Sequence, residues 1–179
     1  MPLTTELDNL YNITNGLSSM INCGDCTICE GESVYLLPQE VESYKDRYGC
    51  AIASIESVYY LQHKKGNCPF FDIVEGCFNC SIYNDRPFCC RLYPLGIFDD
   101  NGTAKWGIYK HCPKHKNIPT IMYSLLASAL EKELGHNACS YLHREDRVGV
   151  LAEGLKGEGR FKKGNGRFVY LQDVKILGG

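Results

Sequence analysis

The chain has 179 residues, 44% of them hydrophobic, and a formal net charge of -2. That length suits one compact domain, or one domain with an appended tail, and the composition is globular rather than disordered. A slightly acidic balance argues against a general nucleic-acid binder, and no apolar stretch reaches the ~18 residues that a membrane helix requires.

The opening residues, Met-Pro-Leu-Thr-Thr-Glu-Leu-Asp, have neither a basic start nor an apolar core, so no signal peptide is expected. Cytoplasmic residence follows as the expectation. Thiols stay reduced there, and clustered cysteines usually hold metal. The chain has 11 cysteines, an odd number that fits a closed disulfide framework poorly.

In chain order, residues 5–14 predict a short helix with Leu7, Leu10 and Tyr11 on one stripe. Ser33–Leu37 predicts a short strand. Pro38 then opens a helix that carries Val41, Tyr44 and Tyr48 on one face and stops at Gly49. Residues 55–62 alternate as one strand. Residues 68–93 hold five cysteines with little periodicity, which predicts loops wrapped around ligands. Leu95–Phe98 and Lys105–Tyr109 flank Asn101-Gly102, a strong hairpin signal because both turn residues accept positive φ. Residues 119–134 predict the clearest helix. Its stripe of Ile121, Met122, Leu125, Leu126, Ala129, Leu130 and Leu134 reads as core, and Gly135 reads as its stop. Glycine is frequent from Arg147 on. Gly164-Asn165-Gly166 predicts a hairpin between 160–163 and 167–172, made basic by Lys156, Arg160, Lys162, Lys163 and Arg167. It reads either as a solvated edge or as a docking arm for an acidic partner.

The chemistry lies in the cysteines. Cys23, Cys26 and Cys29 form a Cys-x2-Cys-x2-Cys run, and three thiols on one short loop cannot all pair off. Iron–sulfur clusters use this run with a remote fourth cysteine, often followed by proline, and Cys112-Pro113 offers one. A second group comprises Cys68, Cys77, Cys80, Cys89 and Cys90. Cys77 and Cys80 read as a knuckle presenting two sulfurs from one turn, suited to tetrahedral zinc as well as iron. Cys89 and Cys90 are adjacent, so their side chains are expected to diverge and one of them to serve elsewhere. Arg86, Pro87 and Arg91 read as anchors of this loop, with arginine offsetting thiolate charge, and Tyr83 and Tyr93 as shields against water. His111 and His115 flank Cys112 but read as ordinary histidines, and Cys50 and Cys139 as buried thiols. Phosphate-loop, dinucleotide-binding, zinc-protease and nucleophile-elbow motifs are absent, which speaks against a nucleotide enzyme or an ordinary hydrolase.

Together these motifs resemble the CxxCxxCC family of zinc- or iron-chelating domains. The matching residues are Cys23-Gly-Asp-Cys26-Thr-Ile-Cys29, Leu36-Leu37-Pro38-Gln39-Glu40, Cys68-Pro-Phe-Phe, Cys80-Ser-Ile-Tyr83, Arg86-Pro87-Phe88-Cys89-Cys90-Arg91-Leu92-Tyr93-Pro94 and Cys112-Pro113, over about residues 20–115. The resemblance implies metal chelation by Cys23, Cys26, Cys29, Cys68, Cys80, Cys90 and Cys112. The region is also similar to the cysteine region of flagellin lysine N-methylases, which implies an iron–sulfur centre. Glu30 stands where the family often closes its first motif with a further cysteine, while Cys77 and Cys89 are additions. Two complete sites therefore need one of the extra cysteines, another ligand type, or an open position.

The expected fold is α+β: a small cysteine-rich metal-binding domain over 1–146, with irregular loops, a small antiparallel sheet and two or three helices, followed by a basic Gly-rich hairpin or docking tail over 147–179. The expected ligands are Cys23, Cys26, Cys29, Cys68, Cys77, Cys80, Cys90 and Cys112. The expected cofactor is one or two [4Fe–4S] clusters, with zinc as the alternative. The expected role is redox or cluster support in a larger assembly, reached through protein partners at the tail. A methyl-transfer or modification enzyme with an open cluster position, and a structural zinc adaptor, remain as alternatives.

Overall fold

A computed structural model describes residues 3–21, 34–49, 52–55, 58–62, 68–75, 77–100, 103–134 and 168–174. Within them, helices and short antiparallel strands build two adjoining cores, an α+β arrangement.

The first core begins with helix α1, Leu3–Met20. The helix is longer than the predicted 5–14, because Leu10, Thr14, Leu17 and the following Ile21 continue one buried stripe past Asn15-Gly16. A Cβ at Gly16 would meet nothing within 4 Å, so packing does not require glycine there. The buried Thr14 hydroxyl donates back to the carbonyls of Leu10 at 3.0 Å and Tyr11 at 3.1 Å, so it stays satisfied inside the helix.

Strands β6 (Leu95–Asp100) and β7 (Thr103–Tyr109) pair up to Asp100 opposite Thr103, which leaves the expected two residues, Asn101-Gly102, between them. Strand β8, Phe168–Asp173, adds to the far edge of β7. The other half of the predicted tail hairpin lies outside the described residues. Helix α4, Thr120–Leu134, packs over this sheet and α1. The indole N–H of fully buried Trp106 donates to Glu131 on α4 at 2.7 Å, which satisfies two groups that burial would otherwise penalise.

The stripe of α4 is only partly core. Tyr123, Ala127 and Leu130 face inward, whereas Ile121, Met122 and Leu125 are exposed. The buried face is therefore rotated from the predicted one: Tyr123 and Ala127 lie outside the expected stripe, and Leu130 is its fully buried member. No described helix is long and apolar enough to cross a membrane.

The second core gathers around helix α2, Pro38–Tyr48, whose bounds match the prediction. Proline sits at its first position, and Gly49 takes φ 55 to close its last turn, donating its N–H to the Lys45 carbonyl at 2.9 Å. Under α2 lies a sheet of β1 (Tyr35–Leu36), β2 (Ile52–Ile55) and β3 (Val58–Leu61) in the order β1-β3-β2. The single strand expected over 55–62 is thus a hairpin. Its intervening Glu56-Ser57 lacks the Gly, Asn or Asp that marks a two-residue hairpin turn, so nothing strong signalled the reversal.

Residues 68–93 are more ordered than the expected loops. They contain the hairpin β4 (Phe71–Val74) and β5 (Cys77–Cys80), a 3-10 turn at Tyr83–Asp85 and the short helix α3 (Phe88–Leu92). α3 packs on α1 and on β1, so it joins the two cores.

Candidate metal centre

Three of the predicted ligands, together with Cys89, line the second core. Cys68, Cys80, Cys89 and Cys90 are each half-buried and pack against its cluster of Val34, Leu36, Val41, Tyr44, Leu61, Phe70 and Ile82. Cys80 ends β5, Cys68 precedes β4, and Cys89 and Cys90 occupy α3. Burial pushes the Cys80 thiol up. A backbone N–H from Ile82 and the charge of Arg86 oppose that push, while the neighbouring Cys90 adds to it. A raised thiol is also the ordinary state of a buried cysteine, and a bound cation is what would hold it as the thiolate.

The adjacent cysteines do not diverge as expected. Their sulfurs lie 3.9 Å apart, and the Cys89 thiol donates to the Tyr35 carbonyl at 3.0 Å. α3 spans only Phe88–Leu92, and its backbone turns both side chains toward β1 and the second core. The Cys77-x2-Cys80 knuckle is also absent as a turn. The two residues stand at opposite ends of β5, with Val74 and Phe71 as their Cα partners.

Cys112 is buried elsewhere, at the start of a 3-10 turn over Pro113–Asn117. Burial of Tyr123 on α4 raises its phenol and the nearby Cys112 adds to that push, which puts Cys112 beside α4. His115 turns a ring nitrogen to the Cys112 carbonyl, and His111 is exposed. Cys23, Cys26, Cys29, Glu30, Cys50 and Cys139 lie outside the described residues. Among the described residues, no three Cys, His, Asp or Glu side chains converge closely enough to hold a metal ion. The donor set, thiols gathered along one core, fits zinc or iron in kind. The described cysteines do not complete a coordination shell by themselves.

The frame behind these cysteines turns on Glu40, which is 1% exposed. Its carboxylate accepts from the Leu37 N–H at 2.9 Å, the Phe88 N–H at 2.7 Å and the Tyr11 hydroxyl at 2.6 Å. One side chain thereby caps α2, caps α3 and ties both to α1. Burial raises the Glu40 carboxyl, while the three donors and nearby Arg91 draw it back. The Tyr11 phenol is held far above its ordinary value, mainly by burial, so its proton remains available to donate.

Arg91 anchors the loop as expected. It donates to the carbonyls of Arg86, at 2.7 Å, and Asn84, and to the Asn15 side chain at 2.8 Å, with its guanidinium 4.4 Å from the centre of the Tyr11 ring. Tyr44 donates to the Asp85 carbonyl, and Tyr48 donates to the Asp85 carboxylate at 3.0 Å.

The expected shields, Tyr83 and Tyr93, are placed otherwise. Tyr83 is exposed beneath Arg86, and Tyr93 stacks on Tyr109 with ring centres 5.4 Å apart. Tyr44, Phe70 and Ile82 line the cysteine pocket instead. The role of Glu40 had one sequence signal, a glutamate two residues after a helix-opening proline. A charged side chain ordinarily reads as surface, which hid its burial.

Residues 20–113, just over half of the chain, match the CxxCxxCC family, described as "Putative zinc- or iron-chelating domain". No curated protein and no solved structure matches the chain. The matched span runs from the end of α1 through both cysteine groups to Cys112-Pro113, and the chain belongs to this family of zinc- or iron-chelating domains.

Proposed function

We propose that the chain is a cytoplasmic metal-binding protein in which Cys23, Cys26, Cys29 and Cys112 hold a [4Fe–4S] cluster, with Cys68, Cys77, Cys80 and Cys90 supplying ligands to a second centre. Three cysteines in seven residues favour a cluster, because each sulfur can take a different iron. When bound, the cluster supplies one-electron chemistry or a structural clamp. The chain's own residues fix the thiolates, exclude water around them and offset their charge.

The observation that carries this reading is how the first cysteine loop is bounded. Ile21, just before it, packs in the first core with Ile118 and Tyr123, and Tyr123 lies beside Cys112. Val34, just after it, packs in the second core beside Cys68, Cys80, Cys89 and Cys90. Both ends of the loop are therefore tied to cores that carry other candidate ligands, Cys112 beside the first and Cys68, Cys80 and Cys90 along the second. A redox or cluster-support role in an assembly, reached through the basic tail, accords with the lack of any enzyme motif in the sequence.

In a second arrangement, Cys89 and Cys90 would both bind one zinc: a 2.3 Å zinc–sulfur bond gives a tetrahedral edge of ~3.8 Å, close to their separation of 3.9 Å. In a cubane each iron takes one thiolate, so two sulfurs this close do not both serve one cluster. The Cys89 bond to the Tyr35 carbonyl favours the first arrangement, in which Cys89 stays a thiol outside the shell.

Serine variants separate the two arrangements. Cys26→Ser and Cys90→Ser are expected to lose about one metal centre each, and Cys89→Ser to retain both, when iron, zinc and sulfide are measured after anaerobic purification. Equal zinc loss in the Cys89 and Cys90 variants would show both sulfurs on one zinc. Unchanged metal in Cys26→Ser would remove the first loop from the site.

A further inference from the structure

We propose that the cleft between α1 and the Tyr83–Arg91 segment binds a small molecule through an oxyanion, either a carboxylate or a phosphate. The cleft has a volume of ≈ 930 Å³ and is lined by Asp8, Asn15, Tyr83, Asn84, Arg86 and Arg91, among others. That size exceeds a lone inorganic ion and falls within the range of ~300–1,000 Å³ typical of small-molecule sites.

Its donors are fixed in advance. The Arg86 Nε donates to the Tyr83 carbonyl at 2.8 Å, and its guanidinium carbon lies over the Tyr83 ring, 3.7 Å from the centre. Ring and carbonyl together hold the guanidinium in place, while both terminal amino groups make no hydrogen bond to the described residues. A guanidinium held in this way matches the two parallel bonds that a carboxylate or phosphate accepts.

Arg91 takes the oxygen of the Asn15 carboxamide, so what Asn15 still offers the cleft is its NH2 donor. Two guanidinium groups against the single carboxylate of Asp8 leave the cleft positive in a chain whose net charge is -2. Asp8 provides one acceptor at the wall, which suits a ligand that carries a hydroxyl or amine beside its oxyanion. Ile21 also lines the cleft, so a bound ligand would sit next to the first cysteine loop. The site stands on these residues whether or not the metal reading holds.

The test is calorimetric titration of the full-length, metal-loaded chain with citrate and with inorganic phosphate, each against sodium chloride at matched ionic strength. Saturable binding of at least one is expected. Tighter citrate assigns a carboxylate ligand, and tighter phosphate a phosphate-bearing one. Arg86→Gln is expected to weaken binding by about tenfold or more. Asn15→Asp keeps an acceptor for Arg91 but replaces the donor with a negative charge, and is expected to weaken binding similarly at unchanged metal content. Binding no stronger than that of chloride would overturn the proposal, as would Arg86→Gln and Asn15→Asp chains that fold and bind like the parent. Loss of metal with oxyanion binding retained would count against the metal assignment alone.

Discussion

Glu40→Ala is expected to destabilise the chain by about 3–5 kcal/mol, among the largest effects of any single substitution. Glu40 is the shared acceptor for the first N–H of α3, the N–H preceding α2 and the hydroxyl of Tyr11. Alanine strands two buried backbone donors, each worth roughly 1–3 kcal/mol when left unsatisfied, whereas half-buried Tyr11 can turn to water. For a chain of this length the expected fall in Tm is roughly 10 °C. Glu40→Gln keeps one accepting oxygen but turns an NH2 toward a donor, so it should fall between alanine and the parent. Thermal or urea unfolding of the three proteins checks the order. Because α3 carries Cys89 and Cys90, the alanine variant should also hold less metal. A loss below about 1 kcal/mol would mean that water replaces the carboxylate and that Glu40 does not organise the site.

Stripping the metal is expected to act unevenly. The first core buries Trp106, Tyr123, Phe88, Ile97 and Leu130 almost completely and is large enough to persist without help. The second core is smaller, and four of the groups packed against it are cysteines. Thiolate sites of this kind contribute ~10–16 kcal/mol of apparent binding free energy, which acts as folding free energy where the local core is weak. Hydrogen exchange after chelation should therefore accelerate in α2, β2–β3 and the β4–β5 hairpin, by about a hundredfold or more, while β6, β7 and α4 stay protected. Uniform protection throughout would show that the second core folds on apolar packing alone.

Local rules carried the parts of the fold that local chemistry decides. Pro38 at a helix start, Gly49 at its end and three apolar positions between them specify α2, and Asn101-Gly102 specifies the β6–β7 turn. Where tertiary packing decides, the sequence was silent. Asn15-Gly16 looks like a helix stop, yet the burial of Leu17 and Ile21 carries α1 through it. Glu56-Ser57 hides the β2–β3 reversal because neither is the Gly, Asn or Asp that marks a two-residue hairpin turn.

The cysteine constellation was legible as a list of thiols and illegible as geometry. Cysteine spacing does not say that Cys77 and Cys80 bracket a strand, or that Cys89 meets the Tyr35 carbonyl. A buried glutamate that binds three donors is invisible without knowing which backbone groups surround it. The exposed Ile121, Met122 and Leu125 show the converse limit, since an apolar stripe specifies a helix but not which part of it is covered.

Metal and acid-labile sulfide determination on the anaerobically purified full chain bears most directly on chelation by these cysteines. One or two centres per chain are expected, with iron and sulfide in equal amounts at the cluster and the ligating cysteines protected from thiol reagents until the metal is removed. Zinc without sulfide would keep the chelating role and end the iron–sulfur assignment. A protein containing neither iron nor zinc, with all 11 cysteines titrating as accessible thiols or disulfides, would contradict metal binding at its root.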